Sequence, residues 1–404
     1  MSITIERLGH LGDGIAPGPV FVPLTLPGEV VSGEQQGDRI PAPKIEQPSE
    51  HRVKPPCPHF RSCGGCALQH ATDPFVALWK TEVVKTALAA QGIDAPIRGI
   101  ATSPSASRRR ASLSGRRTKK GSIVGFHARA SDTVIEVPEC RVLHPDLLAC
   151  LPLLHELTRR TGSRKGEVSF ALTRSRAGID LAVTGAKPMD TGLRIELAEL
   201  AGIHDLARLA WEGEVVVERR PPWQAFGSAR VVPPSGAFLQ ATEEGEAALL
   251  AAVKEAVGKA NRIVDLFAGC GTFALPLAAV AEVHAVEGEG DMLGAMDRGW
   301  RQAQGLKRIT HEARDLFRRP LMSAELAKFD AAVIDPPRAG AEAQTAELAK
   351  SEIPRIAAVS CNPVTFARDA RLLVSAGYRL SWVRVVDQFR WSPHVELAAA
   401  FSRD

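Results

Sequence analysis

From about residue 236 to the C-terminus, short apolar runs alternate with stretches whose apolar positions recur at helical spacing. The run opening at Arg262, those over 282–286, 329–334 and 356–359, and a last one over 397–401 read as buried strands. Stretches over 243–257 and 364–376 read as amphipathic helices, the second with Asn362 as its N-cap and Pro363 at its first helical position. This alternation predicts an α/β fold, a doubly wound Rossmann-like domain over 236–404. The front of the chain is patterned differently. Over 1–50, short apolar runs are separated by turn residues such as Gly12-Asp13-Gly14, which predicts a small OB-type β-barrel or a plain β-cap. A helix is expected over 75–91, and alternating runs at 122–126, 133–137, 167–172, 179–183 and 214–218 make 51–235 a β-rich central domain. No internal repeat or low-complexity segment interrupts this order.

Composition narrows the class. The chain has 404 residues and 45% hydrophobic content, enough for two or three packed cores. No apolar stretch approaches membrane-spanning length, and the opening Met1-Ser2-Ile3-Thr4-Ile5-Glu6-Arg7 lacks the zones of a signal peptide, so a cytoplasmic monomer with no membrane partner is expected. The net charge of +4 is unevenly spread: residues 1–235 carry 30 Lys and Arg against 24 Asp and Glu, and residues 236–404 carry 20 against 22. A positive front portion suits a polyanion. The run Arg108-Arg109-Arg110, Arg116-Arg117, Lys119-Lys120 holds no acid and reads either as a solvated basic loop or as phosphate contacts.

Seven cysteines without a secretory signal argue for metal or catalytic roles rather than a disulfide framework. Cys57, Cys63 and Cys66 are separated by five and two residues, with Gly64-Gly65 allowing a tight fold-back; Cys140 is the candidate fourth ligand. Four thiolates suit an iron-sulfur cluster or zinc. Cys361 closes an apolar run at the start of a helix, where a helix dipole is expected to lower its pKa and favour the thiolate; the alternative is a small buried apolar residue. Gly269-Cys270-Gly271 forms a glycine turn after a strand. Glu287 ends the next strand, where an acid can accept bonds from both ribose hydroxyls of a nucleoside. Asp315, Asp335 and Cys361 also fall at strand carboxyl ends, the ligand-binding edge of such sheets. Glu396 precedes a buried strand and is a candidate proton acceptor.

The ordered set C-x5-C-G-G-C, F-x-Q, D-L-F-A-G-C-G-T-F, D-P-P-R-A-G, S-C-N-P and H-V-E, spread over essentially the whole chain, resembles the RNA (uracil-C5) methyltransferases. Within them it is similar to the ribosomal RNA branch with an N-terminal TRAM module and a 4Fe-4S cluster. The resemblance implies Cys57, Cys63, Cys66 and Cys140 as cluster ligands. It implies Gln240, Phe267, Thr272, Glu287, Asp315 and Asp335 as S-adenosylmethionine contacts, and Phe238 against the target base. Cys361 would be the nucleophile and Glu396 the general base, acting on a uridine of 23S rRNA; a tRNA uridine, or a non-catalytic ribosome-assembly role, are the alternatives. Three positions depart from the family pattern. Gln240 is followed by Ala241-Thr242 where Asn is usual, Arg390-Trp391-Ser392 replaces Pro-His-Thr, and Thr272 stands where some members have Asn.

Overall fold

The computed structural model describes residues 2–403. Its C-terminal part is built on an eight-stranded sheet in the order Ile309–Ala313, Glu282–Glu287, Arg262–Leu266, Ala331–Ile334, Arg355–Ser360, Glu396–Ser402, Arg379–Asp387 and Ile97–Thr102. The first five pair in parallel, while Glu396–Ser402 runs antiparallel to both its neighbours, so the doubly wound sheet is mixed. Central strands such as Ala331–Ile334 are buried throughout because helices cover both faces. Helices Glu243–Val257 and Gly290–Gln302 pack on one face, and Asp73–Ala89, Glu342–Lys350 and Pro363–Ser375 on the other. Helix Glu243–Val257 starts where Thr242 Oγ1 accepts from Gly245 N at 3.0 Å, and carries Glu243, Glu244 and Glu246 in its first turn, which suits the positive end of the helix dipole.

The sheet reaches beyond the 236–404 span. Strand Ile97–Thr102 pairs in parallel with Arg379–Asp387, and helix Asp73–Ala89 packs beneath it. The anchor is long-range: Lys80 Nζ donates to Asp387 Oδ1 at 2.5 Å and to Phe389 O at 3.2 Å, with both charged side chains almost fully buried. Such a pairing across 307 residues leaves no local trace in the sequence.

The central part is a seven-stranded sheet in the order Val134–Glu136, Ser122–His127, Arg110–Arg117, Glu167–Ser175, Gly178–Thr184, Arg208–Trp211 and Glu214–Glu218. Helices Leu151–Thr161 and Thr191–Ile203 bury their leucines against it. The β-rich reading missed both helices because it followed the alternating runs alone. Ahead of them, two three-stranded sheets built from strands within residues 2–47 enclose Ile5, Val22, Val31 and Ile40. Buried Glu29 is tied down by Arg52, which also donates to Leu24 O at 2.8 Å. Among the described residues, no helix is long and apolar enough to cross a membrane.

Removing one partner of a buried ion pair leaves the other charge uncompensated. Lys80→Ala is therefore expected to lower stability by roughly 3–5 kcal/mol, read from denaturant unfolding followed by tryptophan fluorescence. A change under about 1 kcal/mol, the range of exposed pairs, would show that Lys80 does not anchor the strand.

Candidate active site

A cavity of about 390 Å³ opens at the carboxyl ends of the parallel strands and is lined by Phe238, Gln240, Phe267, Thr272, Glu287, Asp335, Cys361 and Glu396. These predicted residues therefore converge on one place. The floor on one side is the turn after Arg262–Leu266, in which Phe267, Gly269 and Gly271 adopt positive φ of 63°, 57° and 87°. Only glycine suits Gly271, since a Cβ there would come within 2.6 Å of Met296 Cγ. Phe267 is not glycine, and its left-handed backbone is a strained conformation of the kind found at binding sites. The Glu287 carboxylate accepts from Gly269 N at 2.9 Å and Glu289 N at 3.0 Å, which fixes an acid beside the glycine turn.

Asp315 is placed elsewhere. It accepts from Phe317 N at 3.0 Å and Arg318 N at 3.3 Å and does not line the cavity. Its contribution is the turn that sets the Phe317 ring 5.4 Å from that of Phe267. Phe238 is 59% exposed, with the Arg110 guanidinium 5.3 Å from its ring centroid.

Opposite the glycine turn lies a chain of side-chain hydrogen bonds. Gln240 Nε2 donates to Asp335 Oδ2 at 3.3 Å, and Gln388 Nε2 donates to Gln240 Oε1 at 2.6 Å and also to Glu396. Burial, with the Glu396 charge adding to it, pushes the Asp335 carboxyl well above the usual range. Burial likewise pushes Glu396 up to about 7, against the lowering bond from Gln388. A carboxyl group poised near neutrality in a cavity can exchange protons there.

Strand Arg355–Ser360 delivers Cys361 and helix Pro363–Ser375 follows, as the N-cap and proline predict. The lowered thiol pKa is not what the structure produces. Asn362 Oδ1 accepts from Val364 N at 3.1 Å, so the helix end is capped by its own side chain. Burial, Glu396 and Asp335 together push the Cys361 thiol up to about 11, with Arg338 opposing. Two residues that the sequence reading passed over thus matter here. Arg338 lines the cavity, and Gln388 was legible only as a lone amide after an apolar strand.

Cys57, Cys63, Cys66 and Cys140 line a second cavity together with Phe60, Phe126, Gln69 and Arg108. Gln69 Oε1 accepts from Cys57 N at 3.1 Å, and Gly64 N donates to His127 O at 2.9 Å, docking the loop on the central sheet. Among the described residues no group of three or more His, Cys, Asp or Glu is arranged to hold a metal ion. Burial pushes the Cys66 thiol to about 12, and burial with the neighbouring sulfurs raises Cys63 and Cys140. The loop also touches the other cavity's frame: Ala67 N and Leu68 N donate to Trp391 O at 2.8 and 3.0 Å. Arg390-Trp391, which replaces the common family residues, is clamped by Asp73, which accepts from Arg390 Nη2 at 2.6 Å and Trp391 Nε1 at 3.3 Å.

The front of the basic run is not a solvated loop. Buried Arg109 donates to Gln240 O at 3.1 Å and to Glu246 at 2.5 Å, Arg108 faces the cysteines, and Arg116 pairs with Glu167 at 2.5 Å. Lys119 and Lys120 are exposed.

The chain is 45% identical over 404 residues to an uncharacterised RNA methyltransferase of Brucella suis, covering 99% of this chain and 97% of the relative. It is 32% identical to the 23S rRNA (uracil(1939)-C(5))-methyltransferase RlmD of Shewanella piezotolerans, covering 99% of this chain and 95% of that protein. The chain belongs to the RNA (uracil-C5) methyltransferases. Residues 302–403 match the family described as tRNA (uracil-5-)-methyltransferase. The fold of this methyltransferase is also that of the Pyrococcus abyssi tRNA (uracil-54, C5)-methyltransferase, solved with S-adenosyl-L-homocysteine, at a TM-score of 0.77, 22% identity and 99% coverage of both chains.

The raised thiol makes an unusual reactivity profile. Alkylation of Cys361 by iodoacetamide, followed on its own peptide by mass spectrometry, will still be climbing at pH values where an ordinary thiol has levelled off. Glu396→Gln or Asp335→Asn removes a repelling charge and should speed alkylation by roughly three- to tenfold at alkaline pH, where both carboxyls are ionised. Identical rates in both variants and the wild type would show that these carboxylates do not act on the thiol.

Proposed function

We propose that this enzyme transfers a methyl group from S-adenosylmethionine to carbon 5 of a uridine in 23S rRNA, through a covalent adduct on Cys361, with Glu396 as the proton acceptor. The observation that carries the reading is the opening of Cys361 and Glu396 onto one cavity whose other wall is the glycine turn with its anchored Glu287. S-adenosylmethionine supplies the methyl carbon as a sulfonium electrophile. The backbone of the turn and Glu287 hold the nucleoside part, with Phe267 and Thr272 beside it, while Gln240 and Asp335 orient the reacting end.

Carbon 5 of uracil is a weak nucleophile until carbon 6 is attacked. Cys361 gives up its proton to solvent in the open cavity, the resulting thiolate adds at carbon 6 and leaves an enolate, and carbon 5 of that enolate takes the methyl group as S-adenosylhomocysteine departs. Glu396 removes the carbon 5 proton, the carbon 6–sulfur bond breaks and the thiolate leaves. The base has to leave its stack to reach this depth, which favours a single-stranded or loop uridine. Exposed Phe238 beneath Arg110 offers it a stacking surface. The positive 1–235 portion supplies the phosphate-facing surface, with the N-terminal β-module as its outer part.

The full-length relationship to a 23S rRNA enzyme supports ribosomal RNA over tRNA. The four-cysteine cavity supports a 4Fe-4S cluster: its donors are all sulfur, its walls are aromatic and aliphatic, and Arg108 offsets thiolate charge. Such a cluster would tie the cysteine loop to the central sheet.

Four experiments test these readings. Label from S-adenosylmethionine, offered with RNA from cells lacking the enzyme, should enter the large ribosomal fraction as 5-methyluridine; label in tRNA would move the substrate. Cys361→Ala should abolish transfer and Glu396→Gln should leave an unresolved protein–RNA adduct on a denaturing gel, whereas turnover near wild type in either would remove that residue's role. In the wild type the carboxylate is the active form, so the rate should rise as pH passes through about 7. Protein purified without oxygen should be brown and carry about four irons per chain, lost in Cys140→Ser; colourless zinc protein would overturn the cluster.

A further inference from the structure

Gln388 lies between strand Arg379–Asp387 and the Glu396 strand, 2% exposed, and uses its whole amide. Its Oε1 accepts from Ala241 N at 2.7 Å. A backbone N–H can only donate, so this bond fixes which end of the amide is oxygen and turns the NH2 group into the site. That one nitrogen then donates both to Gln240 Oε1, at 2.6 Å, and to Glu396. The position is shaped for it. A Cβ at Gly245, in the first turn of the helix behind, would come within 2.6 Å of Gln388 Cβ and 3.1 Å of its Oε1. On the chain side, Lys80 holds Asp387, and Ser103 N donates to Asp387 O at 2.9 Å.

We propose that Gln388 is a positioning residue of this enzyme, which through a single amide nitrogen holds the proton acceptor Glu396 in its ionised form and in register with Gln240 at the methyl-donor side. The proposal rests on the assignment of Glu396 as base. An amide NH2 has nothing to accept with, so this bond favours the carboxylate over the protonated acid. Other charges around Glu396 act differently. Burial opposes its ionisation, its charge in turn raises Asp335 and the Cys361 thiol across the cavity, and Arg338 lines the same cavity. The ion pairs Lys80–Asp387 and Arg109–Glu246 stand behind Gln388 and Gln240. Gln388 is thus the group whose donor points at the base while its acceptor is anchored to backbone.

The test is the pH dependence of label transfer to total RNA from cells lacking the enzyme, for wild type, Gln388→Leu and Gln388→Glu. Leucine removes the donor, and the acid limb should move up by about one pH unit, with transfer reduced roughly fivefold at pH 7, about tenfold well below the limb, and recovering toward wild type as pH rises. Glutamate keeps the size and the acceptor for Ala241 but replaces the donor with a second acid, so its limb should move further up. Loss of packing alone would lower the rate by the same factor at every pH and leave the limb in place, and that outcome in both variants would overturn the proposal. Should Gln388→Leu not fold, Gln388→Glu decides. Glu396→Gln in parallel separates the two readings. If it traps the adduct while the Gln388 limbs match wild type, only the role of Gln388 falls; if it turns over normally, the base itself has been misassigned.

Discussion

Two buried acids, Asp335 and Glu396, line the cavity at the strand ends with the Cys361 thiol between them, a third, Asp265, is buried near Asp335, and holding them there is the constraint on which the rest of the arrangement depends. Burial pushes Asp265 to about 8 and Glu396 to about 7, and Asp335 upward as well. Isolated buried charges are costly, so each must be neutral or well bonded. Asp335 and Glu396 are bonded by amides, from Gln240 and Gln388, which stabilise a carboxylate without adding a net charge. A lysine or arginine in their place would form a tight ion pair and hold the carboxylate permanently ionised. Lys80 and Arg109 stand one layer back, where they pair with Asp387 and Glu246 and fix the backbone that carries the amides, while Arg338 lines the cavity itself.

That second layer explains why distant parts of the chain meet at this corner. The segment from Asp387 to Glu396 is held by helix Asp73–Ala89 through Lys80 and Asp73, and by the cysteine loop through the Trp391 carbonyl. The substitution of Arg390-Trp391-Ser392 for the usual family residues is accommodated by Asp73, which binds both the guanidinium and the indole. The chemistry therefore sits on the C-terminal sheet, while its geometry is set by residues from the first quarter of the chain.

Much of this was legible from the sequence because the relevant signals are local. Strand ends, the Gly269-Cys270-Gly271 turn, the Asn362 cap and the cysteine spacing are short-range patterns, and their residues fall into two cavities. Asp315 follows a strand like its neighbours, and in the structure its carboxylate bonds within its own turn. The sequence said least where the deciding partner is remote. The thiol at Cys361 looked favoured by a helix dipole, and only the folded site shows two carboxylates facing it and a cap that occupies the helix end. The strand Ile97–Thr102 reads as part of the middle of the chain, but its hydrogen-bonding edge belongs to residues 383–387. Gln388 carried no motif, since a lone amide becomes informative only when its three partners are seen.

The extended segment Arg108-Arg109-Arg110 joins these regions. Arg109 turns to Gln240 and Glu246, while Arg108 reaches the cysteine cavity and Arg110 covers Phe238. Successive side chains of an extended chain point to opposite sides, so spacing here matters as much as residue type. Deleting or inserting one residue ahead of Arg109 would exchange the sides and misdirect all three guanidinium groups at once. The turn at residues 118–121, roughly 26 Å of chain further on by strand rise, has no such duty and can change length freely. Divergence in this enzyme should therefore accumulate as length variation at that tip, with the arginine segment held to a fixed count.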